Sequence, residues 1–416
     1  MNINTNIQSF SSQSGIKVTQ NGNSNQSIDK SKNSEAVNIN IDSKTLDTLN
    51  LLSSLEEETF IKSYNNFISD ERRAIRNRLE EVYSKATKEN KKFANPEQHI
   101  RDKYFSQASP YYIEGLSRVE REVAHRHESD YLKYGKLRNI SAIDPNLKDL
   151  NSINGIVDSV EKRAFDRDMV NEQFQQLLNK YGISIPKDSN LRFTIEPYDY
   201  KVTVSGLDDK NLSSLIEDVL NTGDNSEELF RHIQYSRPTY LGTSEQFSED
   251  KSMKYGIFHN VKELTGYDLR ELENVDGKFL TKDGTDVIEL LRIGVMNSKH
   301  ISEEYKGVAF DSYSADLSEV ARKGFENIED LNLSIDYKNS SFHDVGQSET
   351  YGVGKRDWIY ELKASKTQTL GEAFKEYRKD IVYGENSQDI IKDALNLKEF
   401  SFKGIKSEAD SLLEKY

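Results

Sequence analysis

His125 and His127, followed by Glu128 and Asp130, invite a metal reading, because imidazole and carboxylate are good ligands for zinc or iron. The spacing argues against it. A metal site on one helix wants histidines four apart on one face, whereas residues two apart point about 200° from each other. His127 continues an apolar row that begins at Val123, so a structural role is expected for it, and the histidines at 99, 232, 259, 300 and 343 are scattered. Two Asp-Gly pairs, Asp276-Gly277 and Asp283-Gly284, flank Phe279 and Leu280 and suggest a calcium loop. Its register fails, since aligning either glycine puts Leu272 or Phe279 where the first oxygen ligand must stand. Tight turns bounding a short strand are expected instead.

The most specific cluster is Trp358-Ile359-Tyr360-Glu361-Leu362-Lys363. As a strand with alternating faces it would place Glu361 and Lys363 on the same side. In this it resembles the Glu-x-Lys core of the restriction-endonuclease-like nuclease superfamily. The resemblance implies that Glu361 holds a divalent metal, magnesium by preference, and that Lys363 assists an attacking water. It also implies an upstream acid, Asp344 or Asp357, and a following helix, for which 371–382 serves. Against it stands the charge balance. With 56 Lys and Arg against 70 Asp and Glu, a net charge of −14, the chain lacks the phosphate-binding surplus such an enzyme normally shows. The densest basic run, from Arg72 to Lys92, is interleaved with Glu71, Glu80, Glu81 and Glu89 at helical spacing, which reads as a solvated face with internal ion pairs. No phosphate loop, nucleophile elbow or dinucleotide fingerprint appears. No catalytic set, cofactor or metal is therefore assigned, and nucleic acid is not an expected partner.

The elements that must position any such residues begin after a polar leader. The chain has 416 residues, room for two or three domains, but only 35% are hydrophobic, against about 45–50% for average globular chains. Residues 1–45 hold 25 Asn, Ser, Thr or Gln and 11 apolar residues, too few to offset the entropy of ordering, and are expected to be a disordered leader. The first charge is Lys17 and the first acid Asp29; Ile3, Ile7 and Phe10 could line up on a transient helix. The absence of cysteine excludes disulfides, thiolate metal sites and cysteine nucleophiles. No run approaches a membrane span, and the start lacks the regions of a secretory signal, so no membrane span and no Sec route are expected.

From Leu46 through Leu49, Leu52, Leu55, Phe60, Tyr64, Phe67 and Ile68 the apolar spacing predicts helix. Further helices are expected through Ile75–Ala86, over 111–134 and from Ile153 to a cap at Gly182, making 46–181 a helical region. The period then becomes two: Leu191, Phe193 and Ile195, a turn, then Tyr200, Val202 and Val204 predict a hairpin, followed by a helix ending near Gly223 and another with a capping box at Asn225 and Glu228. This block, 182–240, is followed by a mixed region, 241–416. There, strands are expected at Phe279 and 358–362, and helices near 285–296, 316–328, 371–382, 387–395 and 405–415. The fold class is α+β, rich in helix. A short echo of 223–229 at 384–390 is read as two Gly-stop and Asn-cap pairs rather than a duplication.

Two further resemblances bear on function. Ile3-Asn4-Thr5-Asn6 is similar to the start of bacterial flagellins and implies export through a flagellar or related type III apparatus. The strand–helix–helix block from Arg192 to Ile233 resembles an uncharacterised family of flagellated bacteria, a domain of unknown function. The expectation is a non-enzymatic bacterial protein, secreted without a Sec signal, whose folded body binds a protein partner such as export machinery, a chaperone or a host protein. A cytoplasmic structural or regulatory adaptor linked to motility is the alternative, and the metal-dependent nuclease using Asp344, Glu361 and Lys363 is a third reading.

Overall fold

In a computed structural model the described residues are 58–239 and 242–375. After an irregular segment at 58–69 come α1 (Asp70–Asn90), α2 (Pro96–Phe105), α3 (Arg118–Tyr134) and α4 (Gly155–Lys180). A hairpin of β1 (Leu191–Ile195) and β2 (Val202–Ser205) leads to α5 (Lys210–Leu220) and α6 (Asn225–Tyr235). Then follow α7 (Glu249–Thr265), β3 (Glu273–Val275), β4 (Lys278–Leu280), α8 (Val287–Asn297) and α9 (Lys306–Lys323). The described part ends with β5 (Leu333–Lys338), β6 (Ser341–Asp344) and α10 (Asp357–Lys366). This is the helix-rich α+β architecture expected.

The helices start where the sequence offers caps. Asn95 accepts from Gln98 N–H, Ser117 and Glu120 close a capping box, and Asn154 accepts from Ile156 and Val157 N–H. That box starts α3 at Arg118, leaving 111–117 as loop where the apolar spacing alone had suggested helix. Pro96 is the first residue of α2, where its missing N–H costs nothing.

Four antiparallel strands form one sheet in the order β2-β1-β5-β6. Phe193 faces Val204 on one side and Ile335 on the other. Leu191, Phe193, Ile195, Leu333, Ile335 and Tyr337 alternate inward and are buried. Phe174 of α4 sits on them, its ring centroid 5.0 Å from Tyr337, 5.0 Å from Phe342 and 5.6 Å from Phe193. On the opposite face Arg192 pairs with Asp336 at 2.7 Å and Thr194 meets the Ser334 hydroxyl at 2.9 Å. The sheet takes two strands from either side of residue 241, so the hairpin block and the later region share one core. A separate cluster, including Phe258, Val287, Leu291, Leu317 and Val320, lies among α7, α8 and α9 around the β3–β4 hairpin. That hairpin turns through Asp276 at φ 50° and Gly277 at φ 75°, the left-handed pair a two-residue turn requires, as the Asp-Gly reading expected.

Both sheet edges are closed by helix side chains. On β2, Val202 N–H donates to Asn221 Oδ1 at 3.0 Å and Val204 N–H to Glu217 Oε1 at 2.7 Å. On β6, Phe342 N–H donates to Asn171 Oδ1 at 2.8 Å, and Arg167 donates to the Phe342 carbonyl at 3.1 Å. An edge so occupied offers no free ladder to another strand.

Three expectations are corrected. The segment 58–69 is irregular rather than helical, because side chains of the body take the amides of Phe60 to Ser63 and of Asn65; Leu46 to Leu55 lie outside the described residues. The segment 358–362 is helix, within α10, because Ile359 and Leu362 fall on one face and pack with Val160 and Tyr351, while Trp358 meets Tyr351 edge to face. The helix expected at 316–328 runs from Lys306 to Lys323 and stops at Gly324, whose φ of 85° no helix tolerates. Strands β5 and β6 were not expected. The stretch 370–375 is helical, and the helices expected at 387–395 and 405–415, like the echo at 384–390, lie outside the described residues.

The layers meet at one ion pair. Arg167 of α4 donates to Asp344 of β6 at 2.7 and 3.2 Å, with side chains 0% and 2% exposed. It also donates through Nε to His232 of α6 at 2.8 Å, and Asp344 accepts from Tyr351 N–H at 2.6 Å. Replacing one partner leaves the other charged and buried, so Arg167→Met or Asp344→Leu should each lower the unfolding free energy by about 3–5 kcal/mol. The double variant should recover most of that loss in denaturant titration. Losses that simply add would show that the two do not act as a pair.

Candidate functional site

Residues 59–65 lie as a strap without helix or strand, bent at Ser63, in a groove between α4 and α6, and the way it is held is unusual. Phe60 and Ile61 N–H both donate to Asn225 Oδ1, at 2.7 and 3.0 Å. Lys62 N–H donates to Gln173 Oε1 at 2.9 Å, and Ser63 donates to Glu228 Oε2 through both N–H and Oγ, each at 2.7 Å. Asn65 N–H donates to Asp166 Oδ1 at 3.0 Å, while its side-chain oxygen accepts from Gln173 Nε2 at 3.0 Å. Five of six consecutive amides thus end on side chains of the body; Tyr64 N–H has no such acceptor. Ile61, fully buried, is the strap's anchor in the main core, whereas Tyr64 is 59% exposed with the Lys162 ammonium 3.6 Å from its ring centroid.

Helix geometry explains which residues reach the strap. Asn225 and Glu228 are three apart on the first turn of α6, and Gln173 and Asp166 share one face of α4, seven apart. The capping box expected at Asn225 and Glu228 does not form. The cap position is Asp224, without a side-chain cap bond, and the two polar side chains turn outward to the strap instead. Asn225 also donates from Nδ2 to the Glu58 and Thr222 carbonyls at 3.2 and 2.6 Å, which fixes its oxygen toward the strap amides.

The groove floor is charged and dry. Arg167 donates to Nε2 of His232, so the neutral ring carries its proton on Nδ1, which faces the Ser63 backbone without closing a hydrogen bond. Burial, with the Arg167 and Lys162 cations beside it, holds His232 well below the usual imidazole range. Burial raises the Asp166 carboxyl above its ordinary range, and the Lys162 ammonium pulls the other way. Where the strap enters, an open cleft is lined by Asp199, Tyr200, Lys201, Asn221, Asp224 and Glu227. Tyr200 holds a left-handed φ of 53°, a strained position for a non-glycine residue. It keeps its ring stacked on His259 and its hydroxyl 3.0 Å from that of Tyr255.

The residues singled out by sequence do not converge. Asp344 is committed to Arg167 in the buried pair. Lys363 binds Glu161 at 2.6 Å and Glu71 at 3.0 Å, tying α10 to α4 and α1. Glu361 is exposed, and on a helix it points away from Lys363, two residues on. Asp357 begins the same helix. The strand geometry that the nuclease resemblance requires is therefore not formed. His127 is buried, 2.7 Å from Asp144 through Nδ1 and accepting from Ser141 N–H at Nε2, a structural position. Glu128 is buried too, bound by Asn90, Lys103 and Tyr104. Among the described residues no cluster of His, Asp and Glu could hold a metal ion. The basic run of α1 carries the ion pairs expected of it, Lys85 with Glu81 and Lys92 with Glu89.

Comparison with known proteins places this geometry in a family. A family model described as a domain of unknown function, DUF4885, matches residues 13–363, far more than the block from Arg192 to Ile233. An uncharacterized protein of Bacillus subtilis (strain 168), YbdO, is 39% identical over 307 residues, covering 74% of this chain and 76% of that protein. No solved structure matches. Neither description mentions flagella or export, so neither supports the flagellar resemblance. Among the described residues, no helix is long and apolar enough to cross a membrane. With most of its length matched by the model and by this relative, the chain belongs to the DUF4885 family of bacterial proteins, whose α+β core in this member carries a strap in a side-chain-lined groove.

Proposed function

We propose that the protein is a non-catalytic binding protein whose body grips an irregular polypeptide segment in the groove between α4 and α6. One observation carries this reading: the groove satisfies five backbone amides of a segment outside helix and strand with side-chain acceptors alone. Acceptors aimed at amides read the backbone, which every sequence except proline presents, so such a groove tolerates many residues along the segment. Selection comes from two places. The Ile61 site is apolar and closed, and Glu228 takes the hydroxyl and the amide of Ser63 together. The preferred segment is thus aliphatic at one position, with Ser two residues later and no proline between.

A fluorescent peptide spanning residues 57–66 tests this against the full chain. The strap competes from within the molecule at an effective concentration on the order of millimolar, so little binding is expected to the parent. Ile61→Ala removes the strap's buried anchor and should raise peptide affinity at least tenfold, while a peptide with proline at the position of Ile61 should not bind. A folded Ile61→Ala chain that ignores the peptide, or binds the proline peptide equally well, overturns the reading.

For the leader we propose export through a flagellar or related type III route. Support comes from residues 1–28, which hold no acid, in a chain without cysteine. Residues 1–45 fused to an inert reporter should appear in the medium of cells with a working export gate and be retained without it. Equal amounts in the medium of both strains would overturn this proposal.

A further inference from the structure

We infer that the groove's partner in trans is the strap of a second copy of this chain, exchanged reciprocally; this rests on the groove reading above. The argument is one of compensation. Any foreign segment that enters the groove must first displace residues 59–65, leaving Ile61 exposed and five amides to water. A second copy does neither. Each strap that leaves its own groove enters an identical one, and every contact broken is remade: the amide bonds to Asn225, Gln173, Glu228 and Asp166, and the burial of Ile61. Only the entropy of association and the junction to α1 differ between monomer and exchanged dimer.

The junction is suited to a change of direction. Residues 66–69 belong to no helix or strand, Ile68 is 46% exposed, and Ser69 stands at the start of α1 without a side-chain cap bond. Its Oγ is buried and without a hydrogen-bond partner, so the present path of the junction leaves a polar group unsatisfied. Among the described residues the strap precedes the first helix. The net charge of −14 on each copy opposes the encounter at low salt, and exchange should therefore be favoured as ionic strength rises.

The test uses the full chain. Held at high concentration and moderate salt just below its thermal midpoint, then cooled and diluted, it should show by light scattering a dimer of twice 47.8 kDa that persists on dilution, since reversal needs both straps to leave. The absence of natural cysteine allows the contact to be located. Thr59 Oγ1 accepts from Asp224 N–H at 3.1 Å, so Thr59→Cys in one preparation and Asp224→Cys in another, mixed and treated alike, should be joined by a short bis-maleimide. A chain that stays monomeric throughout overturns the inference, as does a dimer in which this cross-link never forms between copies although the doubly substituted chain cross-links within itself. If the labelled peptide binds Ile61→Ala while the parent never dimerises, exchange alone fails; if the peptide does not bind, the groove reading fails with it.

Discussion

A guanidinium with no exposure to solvent is the constraint around which this molecule is arranged. Removing Arg167 from water costs several kcal/mol, and attraction to one carboxylate does not by itself repay it; its remaining donors must also be used. Four of its five N–H groups are: Asp344 takes two, the Phe342 carbonyl one, and the His232 ring one. Those partners belong to β6 and α6, so satisfying one side chain of α4 fixes the register of a sheet edge and the seat of a second helix. His232 then lies beneath the strap, and the groove inherits its floor from the same bond network.

A single device recurs outward from that point. Along three segments without a neighbouring strand, side chains from the helices supply acceptors: Asn221 and Glu217 along β2, Asn171 along β6, and Asn225, Gln173, Glu228 and Asp166 along the strap. Buried backbone polar groups must be paired, and sheet edges left open invite association. Here both requirements are met by Asn, Gln, Asp and Glu. A chain with only 35% hydrophobic residues can still build this core because so many of its polar side chains work inside it.

Much of the architecture was legible from spacing. The alternation of Leu191, Phe193 and Ile195, the Asp-Gly turn at 276 and 277 and the Gly182 helix stop all carry local signals that burial reinforces. The groove was not legible, and the reason is physical. Asn225 and Glu228 have the spacing of a capping box, and nothing local distinguishes a side chain that caps its own helix from one that reaches a segment 165 residues earlier in sequence. The strap was hidden in the same way: Phe60, Tyr64, Phe67 and Ile68 have helical spacing, and the anchor Ile61, three before Tyr64 and seven before Ile68, fits that spacing too. Trp358 to Lys363 fits either alternation or one helical turn, and the packing of Ile359 against Val160 and Tyr351 decided for helix. Glu361 and Lys363 were thereby parted. Strands β5 and β6 did carry a signal in Leu333, Ile335 and Tyr337, which a stricter count of alternation would have found.

If the strap is held amide by amide, its protection from solvent exchange must be uneven in a particular way. Hydrogen exchange resolved to single residues in the native full-length chain tests this most directly. The amides of Phe60, Ile61, Lys62, Ser63 and Asn65 should exchange slowly, while that of Tyr64, between two protected neighbours, exchanges fast. Uniformly fast exchange from 60 to 65 would contradict the account, because the side-chain acceptors of α4 and α6 would then not be holding the segment at all.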